Sequence, residues 1–145
     1  MKPAHDILVV DDNPADVALL CEALAGSKHR SQVNSVSDGV EAMALLNRRD
    51  KYTNAIRPDL VILDLNLPKK DGLAVLAAMK AGPELRRIPV VIFSTSQLRS
   101  DIVRSYEMGA NCYVSKPGNL NDFFSAVKSI EEFWFSFVHL PPRGE

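Results

Sequence analysis

Five short apolar runs punctuate the chain, at residues 7–10, 33–36, 60–63, 90–93 and 112–114. The first, third and fourth are unbroken aliphatic stretches with no polar alternation. That is the pattern of strands covered on both faces in a parallel sheet. The second and fifth are shorter and more polar, which suits strands nearer a sheet edge.

The segments between these runs carry helical periodicity. Asn13 reads as an N-cap, Pro14 as the first helical residue and Asp16 as an acidic group in the first turn. Val17, Leu20, Cys21 and Leu24 then form one stripe, and Gly26 ends it. Ser37-Asp38-Gly39 opens a second helix carrying Val40, Met43 and Leu46. Asp71-Gly72 opens a third that runs to about Met79, before Gly82-Pro83. The fourth, over 98–108, is the most polar, with Ile102, Val103 and Tyr106 as its apolar side and Gly109 as its stop. The fifth runs from about Asn119 towards Val138. Strand and helix thus alternate five times, an α/β fold of three layers, (βα)5. Right-handed crossovers leave doubly wound parallel sheets, and the common order for five strands is 2-1-3-4-5. The long connection at 47–58 is charged and expected on the surface.

Composition narrows the picture without redirecting it. The 145 residues suit one domain over 1–145, with a core of about 6–130 and a helical extension and tail at 131–145. Net charge is −1, from 17 basic and 18 acidic side chains. That balance argues against nucleic-acid or membrane-surface binding, which needs clustered Lys and Arg. No run approaches a membrane span, and the N-terminus lacks a signal-peptide apolar core. Cys21 and Cys112 match no zinc or redox spacing and are expected to be buried reduced thiols of a cytoplasmic protein.

Candidate chemistry collects at the strand ends. Asp11 and Asp12 follow the first run, Asp64 the third with Asn66 two residues on, Ser94 and Thr95 the fourth, and Lys116 the fifth. Taken singly, each has an ordinary explanation as cap, turn or solvated side chain. In the order 2-1-3-4-5, however, all of them meet at one edge of the sheet. Crowded carboxylates raise one another's pKa unless a cation intervenes, and an all-oxygen set suits Mg²⁺. The set reads as a phosphoryl-transfer site: Asp64 as nucleophile, with the metal and Lys116 offsetting phosphoryl charge and Ser94 donating a hydrogen bond. No glycine-rich nucleotide cradle is present.

These residues resemble the response-regulator receiver domains of two-component signalling. The matching motifs are Val-Val-Asp11-Asp12-Asn, Asp64-Leu-Asn-Leu-Pro68, Asp71-Gly72, Phe-Ser94-Thr and Tyr113-Val-Ser-Lys116-Pro117. The resemblance implies the flavodoxin-like receiver fold, with Asp64 accepting a phosphoryl group from a phosphohistidine of a sensor histidine kinase. It implies Mg²⁺ bound by Asp12, Asp64 and the Asn66 carbonyl, with Asp11 acting through water. Ser94 and Tyr113 match the family's switch pair, and Lys116-Pro117 a peptide bond that is usually cis there. Two positions depart from the commonest pattern. Gly118 stands where Phe is frequent, which would loosen the fifth loop. Thr95 stands where Ala is common, and its bulk is expected to slow self-hydrolysis relative to Thr95→Ala. The loop before Pro58, the segments 67–72 and 109–113, and the Glu-Glu-Phe-Trp run before a closing Leu-Pro-Pro resemble receivers that partner phytochromes.

Six of the ten aromatic residues fall between Phe123 and Phe137. Phe123, Val127, Ile130, Trp134 and Phe137 follow helical spacing and suit core packing, whereas Phe124, Phe133 and Phe135 fall off that stripe. The cluster Phe124, Phe133, Trp134, Phe135 and Phe137 is therefore expected to contribute an interface. With the chain ending at Glu145, output is expected through protein binding, as a homodimer using helix 4, strand 5, helix 5 and the tail. Three rivals remain. A haloacid-dehalogenase-like phosphatase would need an acid/base Asp where Asn66 stands. A flavodoxin-like electron carrier would not place Asp11-Asp12 against a flavin phosphate. A phosphorylation-independent dimerisation module of receiver shape would not need all five site positions.

Overall fold

The computed structural model describes residues 4–142, so the last three residues of the expected tail lie outside the described residues. The elements are β1 (His5–Val10), α1 (Pro14–Ala25), β2 (Ser31–Val36), α2 (Gly39–Leu46), β3 (Leu60–Leu63), α3 (Gly72–Ala81), β4 (Val90–Ser94), α4 (Arg99–Glu107), β5 (Cys112–Ser115) and α5 (Leu120–Glu132). All strand pairings are parallel, in the order β2-β1-β3-β4-β5. The two more polar runs are the edges.

Strand geometry explains how one sheet serves two cores, since successive side chains leave opposite faces. Ile7, Val9, Leu60, Ile62, Val91 and Phe93 face one side, where Leu20 and Leu24 of α1 and Phe123, Val127 and Ile130 of α5 cover them. Leu8, Val10, Val61, Leu63, Val90 and Ile92 face the other, under Met43 and Leu46 of α2 and Val75, Leu76 and Met79 of α3. Each such side chain contributes about 1.5–3 kcal/mol on burial. The surface ion pairs, at about 0–1 kcal/mol each, are minor beside them.

Helix starts follow the sequence closely. The Asn13 side chain accepts from the Ala15 and Asp16 N–H groups, Asp38 from Glu41, Asp71 from Ala74 and Asn119 from Asp122. α4 is the exception, with no side-chain cap at Leu98.

Several expectations need correction. In α4 only Ser105 is buried. Val103 and Tyr106 are 43% and 49% exposed and Ile102 is half-buried, so the expected apolar side is only partly covered. Val40 is likewise outside, and α2 buries Ala42, Met43, Leu45 and Leu46 instead. α5 ends at Glu132, and the chain then widens into a π-helical turn over Phe133–Phe137. That turn breaks the 3.6-residue period, so Trp134 stays in the core at 8% exposure while Phe137 swings out to 72%. The 47–58 connection is not simply surface: it forms a 3₁₀ turn at Asp50–Tyr52, its Tyr52 hydroxyl donates to Glu41, and Pro58 is buried. Cys21 and Cys112 are unpaired but only half-buried. The Lys116–Pro117 bond is trans, the ordinary lower-energy isomer, as are all peptide bonds among the described residues. Among those residues no helix is long and apolar enough to cross a membrane.

Candidate functional site

The parallel register brings four strand ends to one edge. The Asp64 N–H donates to the Val10 carbonyl (2.9 Å), the Asp11 N–H to Val36 (3.1 Å) and the Lys116 N–H to Ser94 (2.8 Å). Each site residue is thus fixed by the ladder of the neighbouring strand. Gly72 tightens the arrangement from below. A Cβ there would lie 2.2 Å from the Asp64 carbonyl oxygen and 2.6 Å from the Leu65 Cα, so only a residue lacking one lets α3 begin against this peptide. Its own N–H donates to Leu65 O at 2.9 Å.

At this edge the Lys116 ammonium is buried among carboxylates. Nζ donates to Asp11 Oδ2 (2.7 Å), Asp64 Oδ2 (2.9 Å) and Asp16 Oδ2 (2.9 Å), one partner for each of its three N–H groups. Burial alone would lower its pKa. The hydrogen bonds it donates to Asp11, Asp64 and Asp16 outweigh that and hold it well above the ordinary lysine value. Asp11 is pushed up by burial, against the opposing pull of Lys116 and the Asn13 N–H.

Asp11, Asp12 and Asp64 present oxygens that all lie within 4.8 Å of one another, the first and last buried and the second exposed. Among the described residues the Asp12 carboxylate takes no hydrogen bond, and the Asn66 carbonyl accepts none, while the Asn66 N–H donates to Asp64 Oδ1 at 3.3 Å. These are hard oxygen donors, two of them uncommitted, and the carboxylate trio fits a divalent cation.

Ser94 and Tyr113, the residues expected to act as a switch pair, lie beside this set. Ser94 is fully buried and its Oγ accepts from the Ser96 N–H (3.3 Å). The Tyr113 hydroxyl donates to the Ser96 carbonyl (2.7 Å), and Ser96 Oγ donates to Asp101 Oδ2 in α4 (2.6 Å). Ser96 therefore ties Ser94 and Tyr113 to α4, a contact not read from the sequence. The Asp16 contact was also missed, since the sequence marks that residue only as an acidic group in the first turn of α1. The signal available was its place one turn into a helix that starts directly after Asp11-Asp12. Thr95 is exposed, and a Cβ on Gly118 would meet nothing within 4 Å. Of the expected interface residues, Phe133 and Phe137 are exposed and Phe124 is half-buried. Phe135 stacks on the His5 ring at 4.1 Å between centroids, and Trp134 belongs to the core, so neither stands free.

With this geometry in hand, comparison with known proteins is specific. Residues 7–128 match the response regulator receiver domain family. The chain is 47% identical over 140 residues to the response regulator Rcp1 of Synechocystis sp., covering 97% of this chain and 95% of that one. The Mn²⁺-bound form of Rcp1 superposes with a TM-score of 0.92 at 46% identity, over 95% of this chain and 99% of that one. The phosphorylated cyanobacterial phytochrome response regulator RcpA superposes with a TM-score of 0.94 at 52% identity, over 97% of this chain and all of that one.

Proposed function

The chain belongs to the response regulator receiver domain family, and on that premise we propose that it is a phosphorylation-dependent response regulator of phytochrome-type signalling. Asp64 accepts a phosphoryl group from a phosphohistidine of a sensor histidine kinase: an Oδ–P bond forms as the P–N bond breaks, leaving the imidazole on the kinase and an acyl phosphate here. The observation that carries this reading is the Lys116 ammonium, 2.9 Å from Asp64 and 2.7 Å from Asp11, beside an acidic trio at the sheet edge. Lys116 offsets charge on the phosphoryl oxygens as a compact point charge. Ser94 Oγ, already a partner of the loop at Ser96, donates to one of them. Asp11, Asp12 and Asp64, with the Asn66 carbonyl, would hold Mg²⁺, and the ion would supply charge neutralisation for the phosphoryl group.

Readout is by protein association. Leu98, Val103 and Tyr106 of the α4 region are exposed together with Phe133 and Phe137, and they support a homodimer through α4, β5, α5 and the tail. Phosphotransfer from a phytochrome-type histidine kinase tests the acceptor role. Label should reach the wild type in the presence of Mg²⁺ and not Asp64→Asn. A light-scattering mass of one chain at micromolar concentration, with and without phosphorylation, would remove the homodimer. Association of equal strength in Asp64→Asn and in the phosphorylated wild type would favour a phosphorylation-independent module instead.

A further inference from the structure

The opposite edge of the sheet holds a cavity that the acceptor chemistry does not use. It has a volume of about 470 Å³ and lies where β3 and β4 begin, beside Pro58 and Pro89. That size suits a small-molecule ligand. Three arginines from separate segments line it: Arg48 after α2, Arg57 before β3 and Arg87 before β4. Arg48 Nε donates to the Ala55 carbonyl (3.1 Å) and Arg57 Nε to the Leu46 carbonyl (3.1 Å). Each bond fixes a guanidinium by its inner nitrogen and leaves the Nη groups at its outer end. Two carboxylates share the lining. Glu84 pairs with Arg57 through Nη1, and Asp59 Oδ2 accepts from the Asp6 N–H at 2.9 Å. Among the described residues the Arg48 Nη groups and the whole Arg87 guanidinium have no hydrogen-bond or ion-pair partner.

Arg48 also stands at a backbone position that suits glycine. It follows the Asn47 cap of α2 with φ 56°; its N–H donates to Leu45 O (3.1 Å) and the Arg49 N–H to Ala44 O (2.9 Å). This is the left-handed helix ending at which glycine is the usual residue and any side chain carries a cost. The chain keeps an arginine there, and that arginine lines the cavity. A backbone outlier that brings a charged group to a cavity points to a role for the group. The rest of the lining is largely apolar, with Pro58 and Pro89 buried and Pro141 of the tail beside them. Guanidinium forks pair with carboxylates and phosphates. One fork fills the two oxygens of a carboxylate, whereas a phosphate head has three oxygens to share between two forks. We propose that this cavity is a binding site for a small organic phosphate, its head held by Arg48 and Arg87 and its apolar body packed on the prolines. The site is remote from Asp64 and independent of its chemistry.

Phenyl phosphate is the probe, used in metal-free buffer with affinity read by calorimetry. The wild type and Asp64→Asn should both bind one molecule per chain with a Kd of about 1 mM or tighter. Absence of saturation at ten times that concentration overturns the proposal, and so does loss of binding in Asp64→Asn, which would put the ligand at the acceptor edge. In ¹⁵N NMR the Nε–H signals of Arg48 and Arg57 should shift as the ligand is added, and unmoved signals place it elsewhere. Arg87→Ala removes an exposed side chain without a partner, so it should leave the urea midpoint unchanged and weaken binding about tenfold, the scale of a lost charged hydrogen bond. Arg48→Gly separates binding from structure. Relief of the left-handed backbone should hold or raise the urea midpoint, while affinity again falls about tenfold. A lowered midpoint makes Arg48 a structural anchor, and unchanged affinity in either variant leaves its guanidinium idle; both results overturn the proposal. Benzoate should bind about tenfold more weakly than phenyl phosphate, and equal binding overturns the phosphate class. Inorganic phosphate should also bind more weakly, and equal binding contradicts the part given to the prolines.

Discussion

The carboxyl edge of the sheet and the far end of α5 are opposite in kind. At the first, charged groups are buried and each N–H of the Lys116 ammonium has a partner. At the second, large apolar rings stand in water, Phe133 at 52% and Phe137 at 72% exposure, while the carboxylate of Glu131 is buried with Oε2 lacking any partner. One region is satisfied within a single chain, and the other is not. The charged site is therefore completed within one chain, by the sheet edge and the first turn of α1, whereas the exposed rings at the helix end have the character of a surface that another molecule covers.

The sharpest way to probe this contrast is along α5 itself. Phe123→Ala removes a ring packed edge-on against Phe93 at 5.3 Å. It should cost about 3–5 kcal/mol of stability by urea unfolding, and a loss below 1 kcal/mol would mean that this layer is not a packed core. Next in size is Gly72→Ala. Its Cβ meets backbone rather than a flexible side chain, so a loss of about 1–3 kcal/mol is expected, together with weaker Mg²⁺ binding as the Asp64 peptide shifts. Unchanged metal affinity would separate the α3 start from the site.

At the incomplete end the sign reverses. Burial holds the Glu131 carboxyl above its ordinary value, outweighing His29 and the lysines Lys28 and Lys128 nearby. The folded chain therefore binds this proton more tightly than the unfolded chain. Its contribution to stability is greatest below the ordinary glutamate range and is lost as pH rises through that range to the raised value. Glu131→Gln should accordingly stabilise by about 1 kcal/mol at pH 7 and by nothing at pH 4. A gain independent of pH would show that charge is not the cause. Smallest of all, Phe137→Ser should leave monomer stability within about 0.5 kcal/mol while weakening self-association measured by sedimentation. A large stability loss would place the ring in the core after all.

The same contrast explains what could be read from the sequence. The strands and their order were legible because aliphatic runs and crossover handedness are local or topological facts, and the site followed once four strand ends shared an edge. Asn13, Asp38, Asp71 and Asn119 all cap the helices expected of them. What escaped depends on contacts between distant residues or on departures from regular geometry. The partner of Asp16 lies 100 residues along the chain, and only its place one turn after Asp11-Asp12 hints at the site. Ser96 bonds to residues of three separate elements. Phe137 keeps helical spacing in the sequence but follows a π-helical turn, so its period points the wrong way. The apolar side assigned to α4 failed because a periodic stripe says which residues share a face, not whether that face is covered.

The central claim is that Asp64 is the group that takes the phosphoryl. Its most direct test is to incubate the protein with Mg²⁺ and acetyl phosphate, trap any acyl phosphate by borohydride reduction, and locate the resulting homoserine by mass spectrometry. The account predicts acid-stable, base-labile phosphate, homoserine at position 64 alone, and neither in Asp64→Asn or without divalent metal. Homoserine at another aspartate, or phosphate that persists in Asp64→Asn, would contradict it.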